Sequence, residues 1–175
     1  YVFAPQKGAS EQDVRVLDAG MTSVEGVMTR KLGRSLVAVP GAGAAGAMGA
    51  GVLAFLGGTL KPGIDTVLDF VDFDGLLAGA DLVITGEGRV DAQSCRGKVI
   101  SGIAARAKRR GVPVVVLAGS VESGSEGLYD CGVTAMFSIN RKCEPFEVSR
   151  HQARANLSSA VDNLLRLWLQ VERPG

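Results

Sequence analysis

The chain has 175 residues, 46% hydrophobic and 21% charged, with 24 glycines and a formal net charge of +1. That length allows one sizeable domain or two small ones. The composition is that of a globular protein with many turns, typical of the α/β class, and the net charge argues neither for nor against nucleic acid. Three cysteines, Cys95, Cys131 and Cys143, have no metal-site spacing, and a single histidine, His151, makes a zinc site a poor fit. Free thiols and a cytoplasmic location are the simplest expectation.

Charge is segregated along the chain. Residues 59–88 carry a net of −5 and residues 89–110 a net of +6. Part of the basic excess, Arg106 to Arg110, falls where a helix should end, and cations there complement the helix dipole. The remaining cations could attract an anionic substrate.

In chain order, Tyr1-Val2-Phe3 is β-like and is followed by Pro5, Gln6, Lys7 and Gly8. Ser10 with Asp13 resembles a capping box. Val14, Leu17, Met21, Val24 and Met28 recur at helical spacing, predicting a helix over Glu11–Leu32 that stops at Gly33. Leu36–Val39 is a candidate strand before Pro40. The run from Gly41 to Gly51 then leads a helix to about Leu56.

Gly41, Gly43 and Gly46 match G-x-G-x-x-G literally. Pro40 interrupts the strand-to-turn step that a dinucleotide fold requires, and the small residues continue through Gly49 and Gly51. That pattern favours a helix lying close to another backbone or to a ligand, and a phosphate at its N-terminus is physically sensible. Ser35–Leu60 is free of charge and long enough to span a bilayer, yet Pro40 and seven glycines argue against a membrane span.

Lys61–Gly79 reads as two short helices broken at Asp72–Gly75, their acids forming solvated faces. A regular alternation begins at Asp81. Leu82–Thr85 is a buried strand, interrupted by Gly86-Glu87-Gly88, and a helix follows from Gly97 to Arg110. Val114–Leu117 is a second strand, a short helical piece lies near Glu126–Cys131, and Thr134–Ile139 is a third strand. A last helix covers Glu147–Val171, with Val161, Leu164, Leu165 and Trp168 inward. Right-handed crossovers place these strands in one parallel sheet, whose edges would be unpaired.

Ligands of open α/β sheets bind beyond the carboxyl ends of the strands. Thr85, Glu87, Asp91, Gln93 and Lys98 fall at that edge. Glu87 could hold a substrate hydroxyl or a metal, Asp91 could act as general base toward an alcohol, and Lys98 could hold a phosphate as a point charge. The alternatives are a turn residue, an Asx-turn and a solvated lysine. No Walker loop, nucleophile elbow or HExxH helix is present.

Taken together, Ala4-Pro5-Gln6-Lys7-Gly8-Ala9, PGAGAAG at 40–46, ADLVITGEGRVDAQS at 80–94 with Gly97-Lys98, and VPVVVLAGSV at 112–121 resemble the bacterial glycerate kinase family of the glycerate 2-kinase type. The resemblance runs from the first residue to the last. It implies ATP-dependent phosphorylation of D-glycerate, giving 2-phosphoglycerate, with Mg²⁺. It implies a Rossmann-like three-layer parallel sheet, partial here, in residues 81–175, and part of a second, inserted α/β domain with the Gly-rich helix in residues 1–80. Family members are about twice this long, so the sequence reads as a C-terminal half whose N-terminal half is the missing partner; a fragment of that kind is expected to be inactive alone, and a homodimer is left open.

On that template Glu87, Asp91 and Lys98 are the catalytic candidates. Lys7, Gly41, Gly43, Gly46, Gly86, Arg89 and Gln93 are the substrate- and nucleotide-binding candidates, and no residue is assigned as a metal ligand. Neither nucleic acid nor membrane is expected as a partner. The competing functions are a non-catalytic ligand-binding or regulatory α/β domain and an NAD(P)-dependent oxidoreductase built on Gly41–Gly46.

Overall fold

The computed structural model describes residues 1, 4–95 and 99–171. The β-like residues Val2 and Phe3, and the candidates Gly97 and Lys98, lie outside the described residues. The chain forms two compact units, Tyr1–Lys61 and Pro62–Gly175. The boundary expected between residues 80 and 81 therefore falls inside the second unit.

In the first unit, helix α1 spans Glu11–Leu32. Its start is fixed by a reciprocal capping box: Asp13 N–H donates to Ser10 Oγ at 3.2 Å, and Ser10 N–H donates to Asp13 Oδ2 at 2.9 Å. Gly33, with φ 68°, ends the helix in the left-handed conformation that a glycine adopts without strain. Residues 35–40 form turns rather than the candidate strand at Leu36–Val39. Leu36 is buried there, and Pro40 with Gly41 (φ 85°) turns the chain back at once.

Helix α2 spans Ala44–Phe55, but Ala45, Gly46 and Ala47 sit in the left-handed region, so the regular turns begin after them. A Cβ at Gly49 would overlap the Gly41 carbonyl oxygen, and Ala50 N–H donates to Ala42 O at 2.8 Å. The small residues thus let this helix lie directly on the turn that leads into it. No helix among the described residues is long and apolar enough to cross a membrane.

The second unit opens with α3 (Gly63–Phe70) and α4 (Phe73–Leu76). Asp72 caps α4 by accepting from Gly75 N–H. Next come β1 (Val83–Val90), a 3-10 turn at Ala92–Cys95 and α5 (Val99–Arg110). Then follow β2 (Val114–Val121), α6 (Gly127–Cys131), β3 (Ala135–Ser138) and α7 (Phe146–Val171). The sheet is parallel with order β1-β2-β3.

Alternate residues of β2 face opposite layers. Val116 and Ala118 pack with Ile100 and Ala104 of α5 and Leu128 of α6. Val115 and Leu117 pack with Val161 and Leu164 of α7. Helices therefore cover both faces, the three-layer α/β arrangement expected. Leu165, expected inward, is exposed on α7.

Two expectations need correction. Gly86-Glu87-Gly88 does not break β1, which pairs with β2 as far as Val90 opposite Val121. The glycines are what let it continue: a Cβ at Gly86 would overlap Leu117 O, and one at Gly119 would meet Gly88 O. The acids of residues 65–74 are also not merely a solvated face. Arg106, only 8% exposed, bonds Asp74 Oδ2 at 2.9 Å, pairs with Asp69 Oδ1 at 2.5 Å and lies 3.6 Å from Asp65 Oδ1. This guanidinium ties α3 and α4 to α5 instead of serving the helix dipole.

Candidate functional site

Parallel strands end together at one edge, and the chain leaves each strand there before crossing to a helix. In the second unit that edge borders a cleft of about 860 Å³. Its floor is the backbone of residues 84–88 on β1 with Leu117, Gly119 and Ser120 on β2. Its wall is the first half of α7, from Phe146 to Val161, with Ile139 and Asn140 from the end of β3. The volume is in the range of small-ligand sites.

The floor is shaped by sequence. Without side chains at Gly86 and Gly119 the two strands approach closely, and with Gly88 they present peptide groups rather than bulk. Ile84, on the face that α7 covers over β2 and β3, is 39% exposed, so the cleft is apolar at its base. Polar groups gather toward the strand ends: Glu87, Ser120, Asn140, Glu144, Ser149 and Arg150. Asn140 is held by donating from Nδ2 to Gly119 O at 2.8 Å, and Ser138 Oγ donates to the same oxygen at 3.1 Å. Arg150 pairs with Glu147 at 2.9 Å.

Of the residues singled out from the sequence, Thr85, Gly86 and Glu87 line this cleft. Glu87 is half-buried. Arg89, near the end of β1, and Asp91 and Gln93, just after it, form a separate cluster. Asp91 Oδ1 accepts from Gln93 N–H at 2.8 Å and from Ser94 Oγ at 3.4 Å, while Asp91 N–H donates to Ser94 Oγ at 3.1 Å. That is the Asx-turn, with Ser94 buried beneath it. Arg89 bonds Glu122 at 2.7 Å and lies 3.9 Å from Asp91 Oδ2. The side chain of Asp91 is thus engaged in the turn from β1 toward α5, and that of Arg89 in ion pairs with Glu122 and Asp91.

In the first unit, Lys7 is exposed at the end of a 3-10 turn, Pro5–Lys7. Gly41 (φ 85°) and Gly46 (φ 67°) occupy backbone conformations that other residues resist, and Gly43 is the N-cap of α2. Because turns precede these glycines, the strand–turn–helix setting of a dinucleotide fingerprint is missing, which removes the ground for the NAD(P) alternative. Gly43 and Gly46 border an apolar groove of about 460 Å³ with Met21, Met28 and Phe55. Beside it Glu25 accepts from Thr29 Oγ1 at 2.6 Å and from Ser35 Oγ at 2.7 Å. Those two hydroxyls, Thr29 first, hold its carboxyl below the ordinary value.

Sequence reasoning missed Asn140, Glu144, Ser149 and Arg150. They carry no motif. The only available signal was the polar cluster between a strand and a long helix, at the edge where α/β sheets bind ligands.

Among the described residues there is no group of three or more His, Cys, Asp or Glu suited to holding a metal ion. Mg²⁺ binds through one or two carboxylates together with substrate phosphates, so a single carboxylate such as Glu87 fits a nucleotide-borne Mg²⁺ but not a protein cage.

A model of the Glycerate kinase family matches residues 1–169. The chain is 40% identical over 163 residues to the glycerate kinase of Halalkalibacterium halodurans, covering 93% of this chain and 43% of that protein. It is 39% identical over 163 residues to the glycerate 2-kinase of Escherichia coli K12, with the same coverage of 93% and 43%. A crystal structure assigned to glycerate kinase 2 of Salmonella typhimurium LT2 superposes with a TM-score of 0.65 at 34% identity, over 99% of this chain and 44% of that one. The chain thus spans less than half the length of the curated relatives it matches. The motif-bearing strand that floors the cleft and the match across nearly every residue agree: the chain belongs to the glycerate kinase family.

Proposed function

We propose that the protein to which this chain contributes phosphorylates a hydroxyl of D-glycerate at the expense of ATP, giving 2-phosphoglycerate. The family match over residues 1–169 carries this reading. The cleft at the carboxyl edge of the sheet supports it by offering a site of suitable size beside a half-buried carboxylate. ATP with Mg²⁺ would supply the phosphoryl group and neutralise its charge.

Phosphoryl transfer asks little covalent chemistry of the protein; alignment and charge compensation do the work. Glu87 accepts the proton of the acceptor hydroxyl or orients the Mg²⁺ that travels with the nucleotide. The peptide groups of Gly86 and Gly88 permit close approach of the substrate to the sheet. Lys7, Gly41, Gly43 and Gly46 are proposed phosphate contacts, through one ammonium and backbone N–H groups, and Lys98 is a further cationic contact. Arg89, Asp91 and Gln93 act as positioning residues that hold the turn after β1. The remaining length of a relative-sized protein is the proposed partner of this chain, and the reaction is assigned to the two together.

The test is incubation of the full-length protein with ATP, Mg²⁺ and D-glycerate, followed by phosphorus NMR of the product. The proposal expects a 2-phosphoglycerate resonance that needs all three components. ATP consumption independent of glycerate, or no transfer at all, refutes it and favours a ligand-binding or regulatory role on the same scaffold.

A further inference from the structure

A second cavity, of about 300 Å³, lies where β3 passes into α7. It adjoins the cleft, sharing Asn140, Glu144 and Ser149 with it. Its lining is polar throughout, adding Arg141, Lys142, Gln152 and Asn156.

Several of these groups are held in place by hydrogen bonds or ion pairs. Arg141 Nη1 donates to Ser159 Oγ at 3.1 Å, which holds the guanidinium against α7 and leaves it further N–H donors. Gln152 Nε2 donates to Glu144 Oε2 at 3.0 Å, and Lys142 Nζ lies 3.9 Å from Glu144 Oε1. Glu144 is thereby fixed at the border between cavity and cleft. The first turn of α7, a helix of 26 residues, faces the same region through Ser149 and adds the positive end of its dipole.

We propose that this cavity is the acceptor subsite and takes a short hydroxycarboxylic acid; the inference rests on the kinase reading above. Two cations recognise the carboxylate, Arg141 through its planar fork and Lys142 as a point charge. Asn156 offers donor and acceptor to hydroxyls, and Glu144 accepts a hydrogen bond from a hydroxyl at the mouth of the cleft. The carboxylate of Glu144 selects against a polyphosphate, because like charge would oppose it there. A molecule with one anionic end and neutral hydroxyls meets all of these groups with the right sign.

The experiment is calorimetric titration of the full-length protein and its variants Arg141→Gln, Lys142→Gln and Arg141→Lys. The titrants are D-glycerate, ATP and L-lactate, which shares the 2-hydroxycarboxylate group. Loss of a charge-assisted hydrogen bond weakens glycerate binding roughly tenfold to a hundredfold in Arg141→Gln, with a smaller loss in Lys142→Gln and partial recovery in Arg141→Lys. ATP affinity stays within about twofold. Arg141 and Lys142 are exposed, so thermal unfolding midpoints stay unchanged and exclude misfolding as the cause. Unchanged glycerate and lactate affinity in both charge-removing variants overturns the subsite, even if the wild-type protein turns glycerate over. A loss confined to ATP overturns it in favour of a nucleotide contact. Lactate binding that Arg141→Gln abolishes, in a protein that does not phosphorylate glycerate, sustains the subsite and removes the kinase reading.

Discussion

Replacing Gly86 with alanine separates two reasons for a glycine at that position. If Gly86 is there for strand packing, the added methyl meets the Leu117 carbonyl oxygen of β2 and one strand must move. Overpacking of this kind costs about 1–3 kcal/mol. One or two weakened ladder hydrogen bonds add about 0.5–1.5 kcal/mol each. The sum is about 1.5–6 kcal/mol, a fall of roughly 3–24 °C in unfolding temperature for a chain of this size. Gly88, two residues on, is the control: a Cβ there has nothing within 4 Å, and its φ is not in the left-handed region. Gly88→Ala should leave stability unchanged or raise it by about 0.4–1 kcal/mol, through the entropy of the unfolded chain. Thermal unfolding followed by circular dichroism checks both variants. Equal midpoints for Gly86→Ala and the wild-type protein, or equal losses in the two variants, would refute the packing account. Lost phosphoryl transfer at unchanged stability would instead assign Gly86 to ligand approach.

Further outcomes follow from the same geometry. Leu128→Ala empties a fully buried position between α6 and the sheet and should cost about 2–5 kcal/mol in urea unfolding, with the m-value unchanged. Arg106→Met removes the cation that Asp65, Asp69 and Asp74 surround; it should lower the unfolding midpoint, and a gain in stability would show that the cluster does not hold α3 and α4 to α5. The carboxyl of Glu25 is held below its ordinary value of 4.5 by Thr29 and Ser35, so the folded state binds fewer protons there than the unfolded one. Its stabilising contribution is therefore complete above that ordinary value and fades as pH falls through the lowered one. Glu25→Gln should flatten this part of the stability–pH profile, and an unaltered profile contradicts it. Glu87→Gln should lower kcat at least tenfold while the unfolding temperature holds, as steady-state kinetics and a melting curve can establish.

What could be read from the sequence was what local chemistry decides. Ser10 with Asp13 and Gly33 bound α1 at the residues expected, since capping depends on groups a few positions apart. The strand–helix alternation after Asp81 appears as three parallel strands because apolar runs and helical periodicity are local as well. What escaped prediction depends on contacts distant in sequence. Gly86 and Gly88 looked like a break until the Leu117 carbonyl showed why a strand would carry glycine. Arg106 looked like a dipole partner until α3 and α4 folded three aspartates around it. Leu36–Val39 had strand-like residues but no strand beside it. Glu87, singled out from its place after an apolar run, borders the cleft, whereas Asp91, singled out by the same signal, forms a turn. Asn140 and Glu144 stand in a connecting loop, and only the position of β3 beside β2 brings them to the cleft.

The most direct measurement is a crystal structure of the full-length protein with D-glycerate and a non-hydrolysable ATP analogue bound. The account predicts glycerate at the carboxyl edge of the sheet, near Glu87 and Glu144, with one hydroxyl directed toward the terminal phosphate of the analogue. Glycerate bound away from this edge, with the cleft beside Gly86 and Gly88 filled by other parts of the protein, would contradict it.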